Sequence, residues 1–242
     1  MPSVSTVAHP LWLLPYRVDT AAENMALDWL LLENFPEPES VRLRFYGWTK
    51  PAFTFGYGQK WADARAASDP TAELIRRPTG GGLVDHRHDW TYALVIPATH
   101  PLAQARACES YRVVHEALSA ALNTMGVKNH LQPRCPPSAK NNFSICFRQP
   151  ERFDLVRTDT GQKIAGAAQK RTRTDMLLQG TVDQRLAQAV VDWKNFGMQF
   201  SGQVAKALNL EIRSWNQSSW PPHSILEAET ARFVAALWNQ RR

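Results

Sequence analysis

The chain has 242 residues, 44% of them hydrophobic and 21% charged, values that exclude a mainly disordered or coiled-coil protein and suit a single domain over residues 1–242. No run approaches the roughly 20 apolar residues of a membrane span, and the start, Met1 to Pro10, lacks a basic stretch followed by an apolar one, so neither a membrane nor export is expected. The net charge of +6 is spread along the chain, which points away from nucleic acid and toward a basic surface suited to an acidic protein partner.

Thr20 to Phe35 reads as a helix, with Thr20 as cap, Glu23 three residues on, and Met25, Leu27, Leu30 and Leu31 on an apolar face. Val41 to Tyr46 and Ala52 to Tyr57 read as strands joined by a Gly-Trp turn. Leu74 to Arg77 and Trp90 to Ile96 read as strands flanking a glycine-rich turn, and Tyr111 to Met125 returns to helical spacing. Gln132 to Asn142 is rich in Pro, Ser, Lys and Asn, the composition of a surface loop. Phe153 to Arg157 and Lys163 to Gln169 form a hairpin about Thr158 to Gly161, Met176 to Val182 adds a strand, and Trp193 to Leu208 and Ile225 to Trp238 are amphipathic helices. Hairpins mixed with flanking helices predict an α+β fold with a mixed, largely antiparallel sheet.

Three segments could carry chemistry. In Arg76 to His86 the successive Gly80, Gly81 and Gly82 let a ligand lie against the backbone, although the segment alone reads equally as a flexible hairpin tip; it matches no nucleotide fingerprint. Lys163 precedes the small residues Gly166, Ala167 and Ala168 in a strand, which by itself fits a hairpin with a solvated lysine. Cys146 follows the polar loop, and a thiol there is either a small core residue or a nucleophile suited to thioester exchange. Cys108 and Cys135, away from any motif, read as core thiols; the three cysteines lack the spacing of a zinc site or a disulfide framework, so no metal site and a reducing, cytoplasmic location are expected.

Taken in order, Glu23-Asn24-Met25-Ala26-Leu27-Asp28, Arg44 to Trp48, Arg76 to His86, Thr91-Tyr92, Cys146-Phe147, Lys163 to Gln169 and Leu177 to Thr181 resemble the family of lipoate–protein ligases, lipoyl(octanoyl)transferases and biotin–protein ligases. The resemblance implies a catalytic domain of the class II synthetase and biotin/lipoyl ligase type. It implies that Arg77, Thr79, Gly80, Gly81, Gly82, His86, Gly166, Ala167, Ala168 and Gln169 line a slot for an octanoyl or lipoyl chain, with Lys163 at the acyl carbonyl. Gln179 and Ala93 depart from the His and Ser that many relatives carry at these positions.

Cys146-Phe147-Arg148-Gln149-Pro150 followed by Phe153-Asp154-Leu155 is similar to the cysteine-dependent octanoyltransferases. That branch implies Cys146 and Lys163 as catalytic residues, octanoyl acyl carrier protein as donor, and a lipoyl-accepting protein, either a glycine cleavage H protein or a dehydrogenase E2 lipoyl domain, as acceptor, with no cofactor. The alternatives are an ATP- and Mg-dependent lipoate–protein ligase, an amidotransferase between lipoyl-carrying proteins, and a binder with an inert Cys146.

Overall fold

The computed structural model describes residues 10–134, 149–190, 192–216 and 220–241. The first strands, β1 (Pro10–Leu13) and β2 (Arg17–Asp19), lead into helix α1 (Ala21–Glu33). Strands β3 (Val41–Trp48) and β4 (Ala52–Phe55), helix α2 (Trp61–Ala67) and strands β5 (Glu73–Arg76), β6 (Val84–Asp85) and β7 (Asp89–Pro97) follow. The short α3 (Pro101–Gln104) and the long α4 (Ala107–Thr124) precede β8 (Asn129–Leu131), β9 (Leu155–Arg157), β10 (Lys163–Arg171) and β11 (Asp175–Asp183). Helix α5 (Trp193–Leu208), β12 (Glu211–Ser214), α6 (His223–Val234) and α7 (Ala236–Asn239) complete the described fold.

Among the described residues the strands form two sheets. Nine belong to a mixed sheet ordered β12-β1-β3-β7-β11-β10-β9-β8, with β2 beside β3, and three to a small sheet ordered β5-β4-β6. Every pairing from β3 through β8 in the large sheet is antiparallel, whereas β1 pairs parallel with β3 and β12, so the fold is α+β with a mixed, largely antiparallel sheet.

Helix α1 separates the sheets. Its start is set by a capping box: the Thr20 hydroxyl accepts from the Glu23 amide (3.3 Å) and the Glu23 carboxylate accepts from the Thr20 amide (2.9 Å), which satisfies two donors that a helix N-terminus leaves open. Leu31 and Leu32 pack on Tyr46, Val95 and Leu177 of the large sheet, while Ala22, Met25 and Ala26 pack on Ala52 and Ile75 of the small one. Apolar residues therefore run around α1 instead of forming one stripe. The opposite face of the large sheet is covered by Val114, Leu118 and Leu122 of α4 and by Phe196, Phe200 and Val204 of α5. Strand β7, covered on both faces, is an apolar run for that reason.

Four details differ from expectation. Gly47 and Trp48 continue β3 instead of turning, and β4 leaves to pair with β5 and β6 in the other sheet. The glycine segment does not lead straight into β7: it ends in β6, which pairs with β4, so Gly80 to Gly82 lie in the loop between two strands of the small sheet and the chain crosses to β7 only after it. Residues 225–238 do not form one helix: α6 ends at Val234, and the Asn239 amide folds back to donate to the carbonyls of Phe233 and Ala235. Cys108 is exposed on the first turn of α4, not a core thiol, because the buried face of that helix begins only at Ser110. Cys135 and most of the polar loop fall outside the described residues.

Two consecutive arginines tie the small sheet to its surroundings. Buried Arg76 donates to the carbonyls of Tyr57, Gln59, Trp238 and Asn239, while its own backbone accepts from the Trp238 indole and donates to the Asn239 side chain. The C-terminal helices are thereby fixed to β5. Arg77 serves the glycine segment.

Candidate functional site

A narrow cavity of about 50 Å³ lies between the two sheets. Strand alternation determines its floor: Gly166 and Ala168 of β10 stand opposite Thr181 and Gln179 of β11, and Thr181 stands opposite Thr91 of β7. Its roof comes from the small sheet and the glycine segment, through Thr54, Arg77, Gly81, Val84 and His86. Met25 of α1 closes one end beside Gln179.

The roof is built around Arg77. Its guanidinium donates to the carbonyls of Gly80 (3.0 and 2.6 Å), Gly82 (2.7 Å) and Thr54 (3.1 Å), so the loop wraps its own arginine. Gly81 has φ +85°, and a Cβ there would stand 2.8 Å from Arg77 Nη2 and 3.4 Å from Ala168 Cβ. Roof and floor approach closely because Gly81 has no side chain and Ala168 only a methyl group.

Two polar networks border the cavity. On one side His86 is stacked on Trp48 at 4.0 Å, its Nδ1 lies 2.6 Å from Asp89 Oδ2 and its Nε2 lies 2.8 Å from the Thr54 hydroxyl. The same Asp89 oxygen accepts from the Thr91 and Thr181 hydroxyls. On the other side Gln179 donates to Asp28 (2.6 Å) and accepts from Thr79 (2.7 Å), while Asp28 also accepts from Arg44 (3.0 Å) and Tyr46 (2.8 Å). Burial raises the Asp28 carboxyl above the ordinary carboxylate range despite the Arg44 guanidinium, and burial with the Asp28 charge raises the Tyr46 phenol.

Lys163 flanks the cavity at the end away from Met25. It is buried and paired with Asp154 at 2.7 Å, and a Cβ on Gly166 would fall 2.8 to 2.9 Å from Lys163 Cε, its Nζ and Asp154 Oδ1. The missing side chain of Gly166 is therefore the space this ion pair occupies. Behind it, His115 Nδ1 lies 2.6 Å from the Phe153 carbonyl, and burial holds the imidazole below the ordinary histidine range. Burial raises the Tyr92 phenol.

Of the residues singled out from sequence, Arg77, Gly81, His86, Gly166, Ala167 and Ala168 line the cavity. Thr79 joins it through Gln179, Gly80 and Gly82 contribute the carbonyls that hold Arg77, and Gln169 turns to the opposite face, where it accepts from Ser110. Cys146 lies outside the described residues. Sequence reasoning did not single out Met25, Thr54, Asp89 or Asp154 as site residues; only the position of Asp89 three residues after His86 and of Asp154 beside the hairpin hinted at them. Among the described residues no three His, Cys, Asp or Glu side chains converge as a metal site, and no helix is long and apolar enough to cross a membrane.

A glycine loop closed over a strand of small residues, with a buried lysine at its end, defines an acyl-protein ligase or transferase type of catalytic fold, and a family model identifies it: the lipoyl protein ligase A/B catalytic domain matches residues 20–196. The chain belongs to that family. It is 35% identical over 164 residues to octanoyltransferase LipM of Carboxydothermus hydrogenoformans, covering 66% of this chain and 59% of that protein. It is 34% identical over 170 residues to octanoyltransferase LipM of Bacillus subtilis, covering 66% and 60%. The match thus spans about three fifths of these relatives' own length. In fold the chain is similar to the T. acidophilum protein Ta0514 with bound lipoic acid (TM-score 0.69, 19% identity, 96% of this chain and 99% of that one). It is also similar to lipoate-protein ligase A bound with ATP (TM-score 0.66, 17% identity, 96% and 98%).

Proposed function

We propose that residues 1–242 form one catalytic domain that transfers an octanoyl group from acyl carrier protein to a lysine of a lipoyl-accepting protein in the cytoplasm, without ATP. The observation that carries the reading is the cavity floored by Gly166 and Ala168 with the Lys163–Asp154 pair at one end. The small side chain of Ala168 leaves room for an alkyl chain, and the ammonium that a carboxylate fixes over Gly166 is positioned to polarise a carbonyl. The identity to octanoyltransferases supports the choice of acyl group.

In this mechanism the Cys146 thiolate attacks the carbonyl of the carrier-bound thioester; the carrier sulfur leaves and takes a proton, and a Cys146 thioester remains. The ε-amine of the acceptor lysine then attacks that carbonyl, forming an amide, losing a proton and returning the cysteine to its thiol. Lys163 stabilises the oxyanion in both steps. Arg77, Thr79, Gly80, Gly81, Gly82 and His86 shape the roof over the chain, Gly166, Ala167 and Ala168 form its floor, and Gln169 fastens β10 to α4. The acceptor is a glycine cleavage H protein or a dehydrogenase E2 lipoyl domain, and its acidic surface complements the net charge of +6.

Incubation with octanoyl acyl carrier protein is expected to add one octanoyl mass that hydroxylamine removes, and the adduct is expected to pass to a lipoyl-accepting protein without ATP. Cys146→Ala should form no adduct, and Lys163→Met should slow transfer by about a hundredfold while the fold survives. Full transfer by Cys146→Ala, or strict dependence on ATP and free lipoate, would overturn the reading in favour of another mechanism or a ligase.

A further inference from the structure

We infer that Met25 is the stop that sets the length of acyl chain the cavity accepts, an inference resting on the reading of that cavity as the acyl slot. The strand register gives the slot a direction. Lys163 and Asp154 lie over Gly166, opposite Thr181, and two residues further along β10 Ala168 stands opposite Gln179, beside Met25. Two residues of antiparallel strand span roughly 7 Å, most of the length of an extended eight-carbon chain. A chain with its carbonyl at Lys163 therefore points its terminal methyl at Met25 and Gln179.

These two end residues differ in how far they can yield. Gln179 is committed at both ends, accepting from Thr79 and donating to Asp28, and Asp28 is in turn held by Arg44 and Tyr46. Moving the amide would break a buried network and strand its polar groups. Met25 is bound to its surroundings only by packing and by a weak contact from Gln179 to its sulfur at 3.3 Å, and its unbranched thioether is the adaptable part of the wall. Beyond it lie Ala22, Ala26, Ala52 and Ile75, an apolar cluster able to accept methylenes if Met25 is shortened.

The test is calorimetric binding of the free acids with six, eight, ten and twelve carbons to the whole chain. Wild type is expected to bind octanoate best among them. Met25→Ala should move the optimum to ten or twelve carbons, with a gain of about fourfold for each added methylene that is buried. Met25→Phe should move it the other way, so that hexanoate overtakes octanoate; Met25→Leu, close in volume, should keep the wild-type order. Thermal melting identifies any variant that fails to fold, and the Phe variant decides the question if Ala does not fold. An unchanged order in the folded variants, or no binding of any of the acids to wild type, overturns the inference. Failure of octanoyl transfer alongside shifted binding orders would instead overturn the proposed activity and leave the role of Met25 standing.

Discussion

Gly166 and Gly180 face each other's strands across one register step, yet their missing side chains serve different ends. At Gly166 the vacant space is filled by Lys163 and Asp154, so a methyl group would push the ammonium from its partner. Gly166→Ala is expected to reduce transfer by about tenfold or more, and because a displaced ammonium leaves the buried Asp154 carboxylate poorly paired, it should lower stability as well. At Gly180 a Cβ would fall on the Tyr92 ring, whose atoms are packed in the core beneath α5. Gly180→Ala should lower stability by about 1–3 kcal/mol, as overpacking does. Melting curves check the losses of stability, and single-turnover transfer by the folded variants tests the assignment; undiminished transfer by Gly166→Ala would contradict the placement of Gly166 at the ion pair.

Helix α1 is the element that joins site and scaffold. It carries the capping box at one end, the cavity residue Met25 in its second turn, and Asp28 at the junction with Arg44, Tyr46 and Gln179. Loss of the cap should loosen the end that leads to Met25. Thr20→Ala is expected to cost about 1 kcal/mol, which corresponds to a drop of about 2–4 °C in melting temperature for a chain of this size; an unchanged melting temperature would mean that tertiary packing alone holds the first turn. This helix was legible from residues because a cap, an acid three positions on and a following proline act locally. The Gly47-Trp48 pair reads as a turn because glycine is a turn signal in isolation, while pairing with β2 extends the strand through both residues.

In the whole molecule, buried charge and burial of neutral groups give stability its pH dependence. His115, buried beside the Phe153 carbonyl with Asp154 and Lys163 near it, takes up a proton less readily folded than unfolded. Its contribution is therefore present above the ordinary histidine pKa of about 6.5 and is lost as pH falls below that value. His115→Asn keeps a donor for the Phe153 carbonyl and removes the titrating ring. Denaturant unfolding at pH 7.5 and 5.5 should show a smaller loss for the variant than for wild type; the same loss in both would exclude His115 as the source. By itself the sequence determined the α+β class, the capped helix, the β9–β10 hairpin, and the glycine and small-residue segments that match the family, since each of these is written in local spacing and in residue types that backbone geometry demands. The tertiary structure decided the rest. That the glycine segment of the small sheet lies over Ala168 of the large one, that Lys163 meets Asp154 over Gly166, and that Met25 and Gln179 close the far end depend on strand order and register, which bring together residues as distant as Met25 and Gln179 and which no local pattern encodes.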